Sequence, residues 1–232
     1  SEQFESRLVS GVFININDAE GNVALGQETI HLGGMTSIQE EVCGTNFIVR
    51  PTSFFQTNPG QASIMIADAV SHSLRLAGAG SPTVIDLYCG TGVLGISAVK
   101  LGSDLGTKCI GVDILASNIQ DAQENAETNG LSQHCKFFQM SSAEFCQSHA
   151  TNTESEILFL NPPRKGCDPE VFQFAQQLQP KVICLISCDL KSAARDIAQF
   201  TEQVGYAVVR IQPYEMFPHT KHLEVVTHLV RG

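Results

Sequence analysis

The sequence predicts an α/β domain: a mostly parallel, seven-stranded sheet with helices on both faces, preceded by a small β-rich segment. Three observations carry that prediction. From residue 83 onward, seven short apolar runs alternate with helix-length segments, the signature of βαβ units. A glycine-rich turn, Asp86–Gly95, joins the first of these runs to a helix. The texture also changes near residue 57, with turn signals and strand-like alternation before it and helical periodicity after it. The chain of 232 residues suits one large domain or a domain with an appendage, here a β-rich segment over 1–57 and the main domain over 58–232.

In the first segment, Val12, Ile14 and Ile16 alternate with Phe13, Asn15 and Asn17, and turns are expected at 18–22 and at Gly33-Gly34. A helix opens at Asn58-Pro59, where proline fits the first turn. It carries Ile66, Val70 and Leu74 on one face and ends at Gly78 or Gly80. Strands follow at 83–88, 108–113, 135–139, 156–160, 181–186, 206–211 and 222–230. Helices lie between them at 92–101, 115–129, 141–149, 168–178 and 189–203. Only a short, proline-containing link joins the last two strands, so an antiparallel closing strand is expected.

Composition excludes several classes. Apolar residues at 43% with charged residues at 16% are incompatible with disorder as the main state. The longest apolar runs, such as Val182–Ile186, fall far short of the ~20 residues that span a bilayer, so no membrane association is expected. The polar, acidic start gives no secretory leader. Eight cysteines lack a CxxC pair, and several sit in apolar runs where a free thiol packs as a small core residue. Seven histidines give no HExxH spacing; His219 and His222 could pair locally, but no metal is expected. The expected setting is a reducing cytoplasm. The formal charge of −10 argues against whole-surface attraction to nucleic acid, though not against a local basic patch.

Gly90, Gly92 and Gly95 satisfy GxGxxG, and Asp113 lies 18 residues beyond Gly95, as a dinucleotide fold would want. The pattern alone is weak, and charge separates the readings. Asp86, at the tip of the first strand, would repel a pyrophosphate but attract the ammonium of a methionine moiety. Asp113 would hydrogen-bond ribose hydroxyls in either case. The combination favours S-adenosylmethionine over NAD, with an unliganded structural turn as the third reading.

Four further segments fall beyond the carboxyl ends of strands, where ligands bind in open sheets. They are Ser53-Phe54-Phe55-Gln56-Thr57-Asn58, Asn161-Pro162-Pro163-Arg164-Lys165-Gly166, Ser187-Cys188-Asp189 with Ala194-Arg195-Asp196, and Met216–Glu224 (MFPHTKHLE). Together with DLYCGTG, they resemble the RNA uracil-C5 methyltransferases over about residues 47–230, five motifs in the family's order. SFFQTNP, Asn161 and MFPHTKHLEV resemble most the branch that modifies uridine 747 of 23S rRNA; the other branches usually have Asp at the position of Asn161. Family members of the rRNA type carry an N-terminal RNA-binding portion and often iron–sulfur cysteines. Nothing here matches either, so the resemblance implies the catalytic part of a longer enzyme, with any iron–sulfur cluster in the missing part.

The resemblance implies a class I, Rossmann-like, S-adenosylmethionine-dependent fold and a covalent mechanism. Uracil C5 is too poor a nucleophile to take a methyl group until a thiolate adds to C6. A base must later remove the C5 proton. Family position assigns these roles to Cys188 and Glu224. It also places Gln56 on the methionine end of the cofactor and Tyr88 against it, with Asp86, Gly90, Asp113 and Asn161 completing the cofactor set. Arg164 and Arg195 are expected at the substrate. The helix N-terminus after Cys188, with Lys191 or Arg195, is expected to lower the thiol pKa. The expected partner is RNA, 23S rRNA ahead of tRNA, and the expected state a monomer. Two alternatives stay open: an exocyclic-amine methyltransferase using Asn161 of NPP, and an RNA-binding module with a vestigial cofactor pocket.

Overall fold

The computed structural model describes residues 9–18, 26, 28–149, 156–220 and 223–232. Seven strands form the central sheet: β5 (Thr83–Leu87), β6 (Lys108–Asp113), β7 (Cys135–Gln139), β8 (Ile157–Leu160), β9 (Val182–Ser187), β10 (Tyr206–Tyr214) and β11 (Glu224–Arg231). Their order is β10-β11-β9-β8-β5-β6-β7. Six strands point the same way, and β11 alone inserts antiparallel between β9 and β10. The short link between the last two strands allows this, because a tight hairpin can only return antiparallel. The chain order reverses between β5 and β8, which opens a crevice at their carboxyl ends.

Burial on both faces explains why these strands read as continuous apolar runs. All six residues of β9 are buried. Val182, Cys184 and Ile186 face one core layer, while Ile183 and Leu185 face the other. The first layer is closed by α1 (Pro59–Ala77) and α2 (Val93–Leu101). The second is closed by α4 (Ser142–His149), α5 (Pro169–Leu178) and α6 (Leu190–Gln199); α3 (Ala116–Thr128) follows β6. In α1, Asn58 caps Gln61 N at 3.2 Å, Pro59 sits in the first turn, and Ile66, Val70 and Leu74 are buried on one face. The last predicted helix changes character at its end. Phe200–Val204 is π-helical, with Phe200 fully buried and Thr201 Oγ1 donating back to Ile197 O and Ala198 O. Such back-bonding competes with the regular ladder and widens the turn.

Two antiparallel hairpins precede the sheet: β1 (Gly11–Ile16) with β2 (Glu28–Gly34), and β3 (Ile38–Val42) with β4 (Thr45–Val49). The apolar members of β1, Val12, Ile14 and Ile16, face solvent, while Phe13 packs on His31. Gly33-Gly34, expected as a turn, ends β2 instead. Gly34 has φ +81°, and a Cβ there would lie 2.4 Å from Ser10 O, so glycine serves close backbone approach. The expected turn at 18–22 lies mostly outside the described residues.

The second hairpin is bound to the main domain by packing and by side-chain amides. Val42 and Phe47 are fully buried in the layer of α1. Asn125 of α3 accepts from Ile48 N at 2.7 Å and donates to Thr91 O at 3.0 Å, with no exposed surface. Asn129 exchanges two hydrogen bonds with the Asn46 backbone at 3.0 and 2.7 Å. These amides substitute for a neighbouring strand on β4. Asn125→Ala would strand two backbone groups, at a cost of about 2–3 kcal/mol. Asn129→Ala, at a half-buried position, should cost less than half as much. Urea unfolding midpoints check this; equal losses would show that burial of the Asn125 amide is not what anchors the hairpin.

Candidate active site

The crevice is built by the turn after β5. Tyr88 adopts a left-handed conformation (φ +62°), and Cys89 N donates to Val112 O at 3.0 Å, which pins the turn to β6. Gly90 N donates to Asp113 Oδ2 at 3.0 Å, while Asp113 Oδ1 accepts from Leu115 N and Asn118 Nδ2 at 2.9 and 3.0 Å. Asp113 therefore fixes the glycine turn. Gly95 packs its backbone against the sheet: a Cβ there would lie 2.3 Å from Cys109 Sγ. On the opposite side, a Cβ on Gly90 would meet nothing within 4 Å. That open flank lines a cleft together with Gln56, Tyr88, Thr91, Asn161 and Ile186.

Of the residues expected at a cofactor, Gln56, Tyr88, Gly90 and Asn161 line this cleft, whereas Asp86 and Asp113 do not. Asp86 corrects the charge reading. It is fully buried beneath the turn, its Oδ2 accepting from Gly95 N at 2.9 Å and its Oδ1 unpartnered among the described residues. Burial raises its pKa to about 7. A carboxyl buried there is not the exposed anion that would repel a pyrophosphate.

The segment carrying Gln56 is held from below. Arg50 forms ion pairs with Asp121 and, at 2.5 Å, Glu124 of α3, and Ser53 Oγ donates to Asp121. Asn58 Nδ2 reaches Met216 O at 3.3 Å, tying this segment to the loop that leads into β11. None of these anchors was visible in sequence, because the partners lie 71 and 158 positions apart.

Beside the cleft, β9 ends at Ser187, and Cys188 follows, half-buried. Glu224 opens β11. Since Val225 pairs with Ser187 in the antiparallel register, Glu224 stands opposite the position of Cys188. Burial and then the Glu224 charge raise the Cys188 pKa, while Arg164 lowers it through its charge and a hydrogen bond. Burial also raises Glu224 to about 7, again opposed by Arg164. Thiol, carboxyl and guanidinium are thus one electrostatic unit.

This corrects the expected source of thiol activation. Lys191 and Arg195 do not act on Cys188; Arg164 does. The amides at the start of α6 donate to Asp189, from Lys191 N at 3.1 Å and Ser192 N at 2.9 Å, so that carboxylate takes up the helix N-terminus. Arg195, expected at the substrate, instead bonds Asp196 Oδ1 (3.0 and 2.7 Å) and Lys165 O (2.6 Å). The fully buried Asp196 accepts from Cys167 N at 2.8 Å. Both side chains shape the 161–168 loop. His222 lies outside the described residues, and among those described no three His, Cys, Asp or Glu side chains are arranged to hold a metal.

The eight cysteines divide by environment: Cys43 and Cys188 are half-buried and the other six buried, with Cys184 pushed up to about 12 by burial. Under native conditions iodoacetamide should label Cys43 and Cys188 and spare the rest until the chain unfolds. Peptide-resolved mass spectrometry reads the outcome, and comparable labelling of Cys184 or Cys109 would contradict the burial described here.

Comparison with known proteins bears on the fold and the family. Residues 37–231 match the family model for tRNA (uracil-5-)-methyltransferase. A Geobacter sulfurreducens protein described as an uncharacterized RNA methyltransferase is 37% identical over 224 residues, covering 96% of this chain and 43% of its own length. A similar protein of Listeria innocua is 35% identical, with coverages of 95% and 47%. The chain thus spans about half the length of these relatives. Among solved structures, the Pyrococcus abyssi tRNA (uracil-54, C5)-methyltransferase in complex with S-adenosyl-L-homocysteine superposes with a TM-score of 0.76 at 26% identity, over 95% of this chain and 51% of that one. A SAM-dependent methyltransferase of Agrobacterium tumefaciens, 15% identical with a TM-score of 0.68, covers all of this chain and 80% of its own, and shares the fold alone. The fold is the class I, Rossmann-like methyltransferase fold, and the chain belongs to the RNA (uracil-C5) methyltransferase family.

Proposed function

We propose that this chain catalyses methylation of C5 of a uridine in RNA, with Cys188 as nucleophile and Glu224 as base. The observation that carries the reading is the placement of Cys188, Glu224 and Arg164 as one unit beside a cleft floored by the glycine turn. The cleft fits S-adenosylmethionine: its open flank at Gly90 admits close backbone approach, and Gln56, Tyr88 and Asn161 would hold the ligand. Bound there, it supplies an electrophilic methyl group. The chain's own residues do the rest. The Cys188 thiolate adds to C6, which makes C5 nucleophilic. After C5 is methylated, Glu224 takes its proton, and elimination returns the thiolate. Arg164 stabilises the thiolate and would be available to a uracil oxygen or a phosphate. A uridine in folded RNA must leave its stack to reach Cys188, at a cost of a few kcal/mol.

SFFQTNP, Asn161 and MFPHTKHLEV support 23S rRNA as the target, while tRNA is the substrate named for the matched family model and for the Pyrococcus abyssi enzyme. Methylation assays on both RNAs, with nucleoside mass spectrometry of the product, decide between them; a methylated exocyclic amine in place of 5-methyluridine would instead favour Asn161 as the reacting contact. We further take the protein to be a monomer and to be cytoplasmic, the second reading supported by eight free cysteines.

Order of events gives the sharpest test. Glu224→Gln keeps shape and hydrogen bonding but cannot take the C5 proton. It should therefore accumulate a methylated covalent protein–RNA complex, visible on a denaturing gel with radiolabelled methyl donor. Cys188→Ala and the double variant should give no complex and no turnover. Free turnover by Glu224→Gln without a trapped species would remove Glu224 from the mechanism. 5-Fluorouridine RNA should trap the wild type at the same stage.

The pH dependence follows from the same pair. Glu224 acts as base only when ionised, so release of tritium from [5-³H]uridine RNA should rise as pH passes through about 7. Arg164 lowers the pKa of both partners, so Arg164→Met should move that rise to higher pH. A profile that stays flat across neutrality would exclude Glu224 as the titrating base.

A further inference from the structure

Tyr88 contributes to two places at once. It lines the cofactor cleft, and its hydroxyl meets Asp168, 80 positions away. The hydroxyl donates to Asp168 Oδ2 and accepts from Asp168 N, both at 3.1 Å. Asp168 occupies the N-cap of α5 but makes no side-chain capping bond, although aspartate at that position ordinarily accepts from the first-turn amides. Its carboxylate is turned away from the helix, one oxygen to Tyr88 and the other to Lys165 Nζ at 2.7 Å. The backbone of Tyr88 is in the left-handed region, which is unfavourable for an aromatic residue.

Asp168 closes the segment that carries Arg164. Gly166 N donates to Pro163 O at 2.8 Å, a turn with Arg164 and Lys165 at its corners. One side of the turn is held by Arg195 and Asp196; a Cβ on Gly166 (φ +87°) would lie 2.0 Å from the Arg195 guanidinium. The other side is held by Tyr88 through Asp168 and Lys165. We propose that the Tyr88 hydroxyl is a positioning group, which fixes the 161–168 turn from the wall of the cofactor cleft and so sets Arg164 against Cys188. This inference rests on the reading of Cys188 as the reacting thiol, and it links the two halves of the site: whatever restrains the Tyr88 ring in the cleft also restrains the turn at the substrate.

The Cys188 thiol reports the position of Arg164 without any need for turnover. It is faced by Arg164 from the turn and Glu224 from β11, with Asp189 beside it on its own segment. The experiment measures the pH dependence of Cys188 carboxamidomethylation, peptide by peptide, in wild type, Tyr88→Phe, Asp168→Asn and Arg164→Met. Tyr88→Phe and Asp168→Asn should each slow labelling at neutral pH about three- to tenfold, the loss of one hydrogen bond, and shift the curve in the direction of Arg164→Met. S-Adenosylhomocysteine affinity by calorimetry should stay within about twofold in Asp168→Asn, whose side chain is not part of the cleft lining. Unchanged labelling curves in the two variants would overturn the proposal. So would a large loss of S-adenosylhomocysteine affinity in Tyr88→Phe alone, which would place the hydroxyl in the cofactor site. A Cys188→Ala variant that still methylates RNA would refute the nucleophile reading, while the labelling curves judge the clamp independently.

Discussion

Unpaired polar groups are costly between the layers of a sheet buried on both faces, and the rest of the molecule is arranged around that constraint. Residues of β8 and β9 are buried without exception. The chemistry is therefore displaced to the carboxyl edge, where each strand hands over to a turn: Tyr88–Gly90 after β5, Asn161–Gly166 after β8, Cys188 after β9. Only β11 delivers its functional residue at its start, and it can do so because it runs antiparallel to β9. The antiparallel insertion brings Glu224 to the same edge as Cys188, which a parallel strand would have placed at the opposite end.

The edge residues are loops, and loops need anchors. Here the anchors are short polar side chains from distant elements. Asn125 and Asn129 hold β4, Asp121 holds Arg50 and Ser53, Asp113 holds the glycine turn, and Asp168 with Asp196 holds the 161–168 turn. Asn125, Asn129, Asp113 and Asp196 pair backbone groups directly, and Asp121 and Asp168 hold side chains of the loops, in a partly dry setting where an unmade hydrogen bond costs more than a made one gains. Several acidic residues of this acidic chain are thereby internal struts.

Electrostatics at the site follow from partial burial. Desolvation raises both the thiol and the carboxyl, and each charge opposes the other. Arg164 is the cation that offsets both, so the position of a single turn controls nucleophile and base together. The buried His228, pushed down to about 4 by desolvation and packed against His72, lies four residues further along β11 from Glu224, beside the Asp68–Arg210–Tyr214 network that joins α1 to the final hairpin.

Elements and motifs were legible in the sequence because they depend on local pattern. The period of Ile66, Val70 and Leu74, the apolar runs, and the glycines at 90, 92 and 95 announce their helices, strands and turn within a few residues. Cys188 stood out from Cys184 by its place at a strand end. What the sequence by itself determined was therefore the alternation of elements, the edge on which the motifs fall, and the resemblance that orders them. Tertiary structure decided which charges act on one another. Sequence neighbours suggested Lys191 and Arg195 as the cations at Cys188, and an exposed Asp86 at the ligand. Folding turned Arg195 onto Asp196, buried Asp86 under the glycine turn, and brought Arg164 from a different loop to the thiol. Electrostatic influence falls with distance through space and with solvent screening, and neither quantity is a function of separation along the chain.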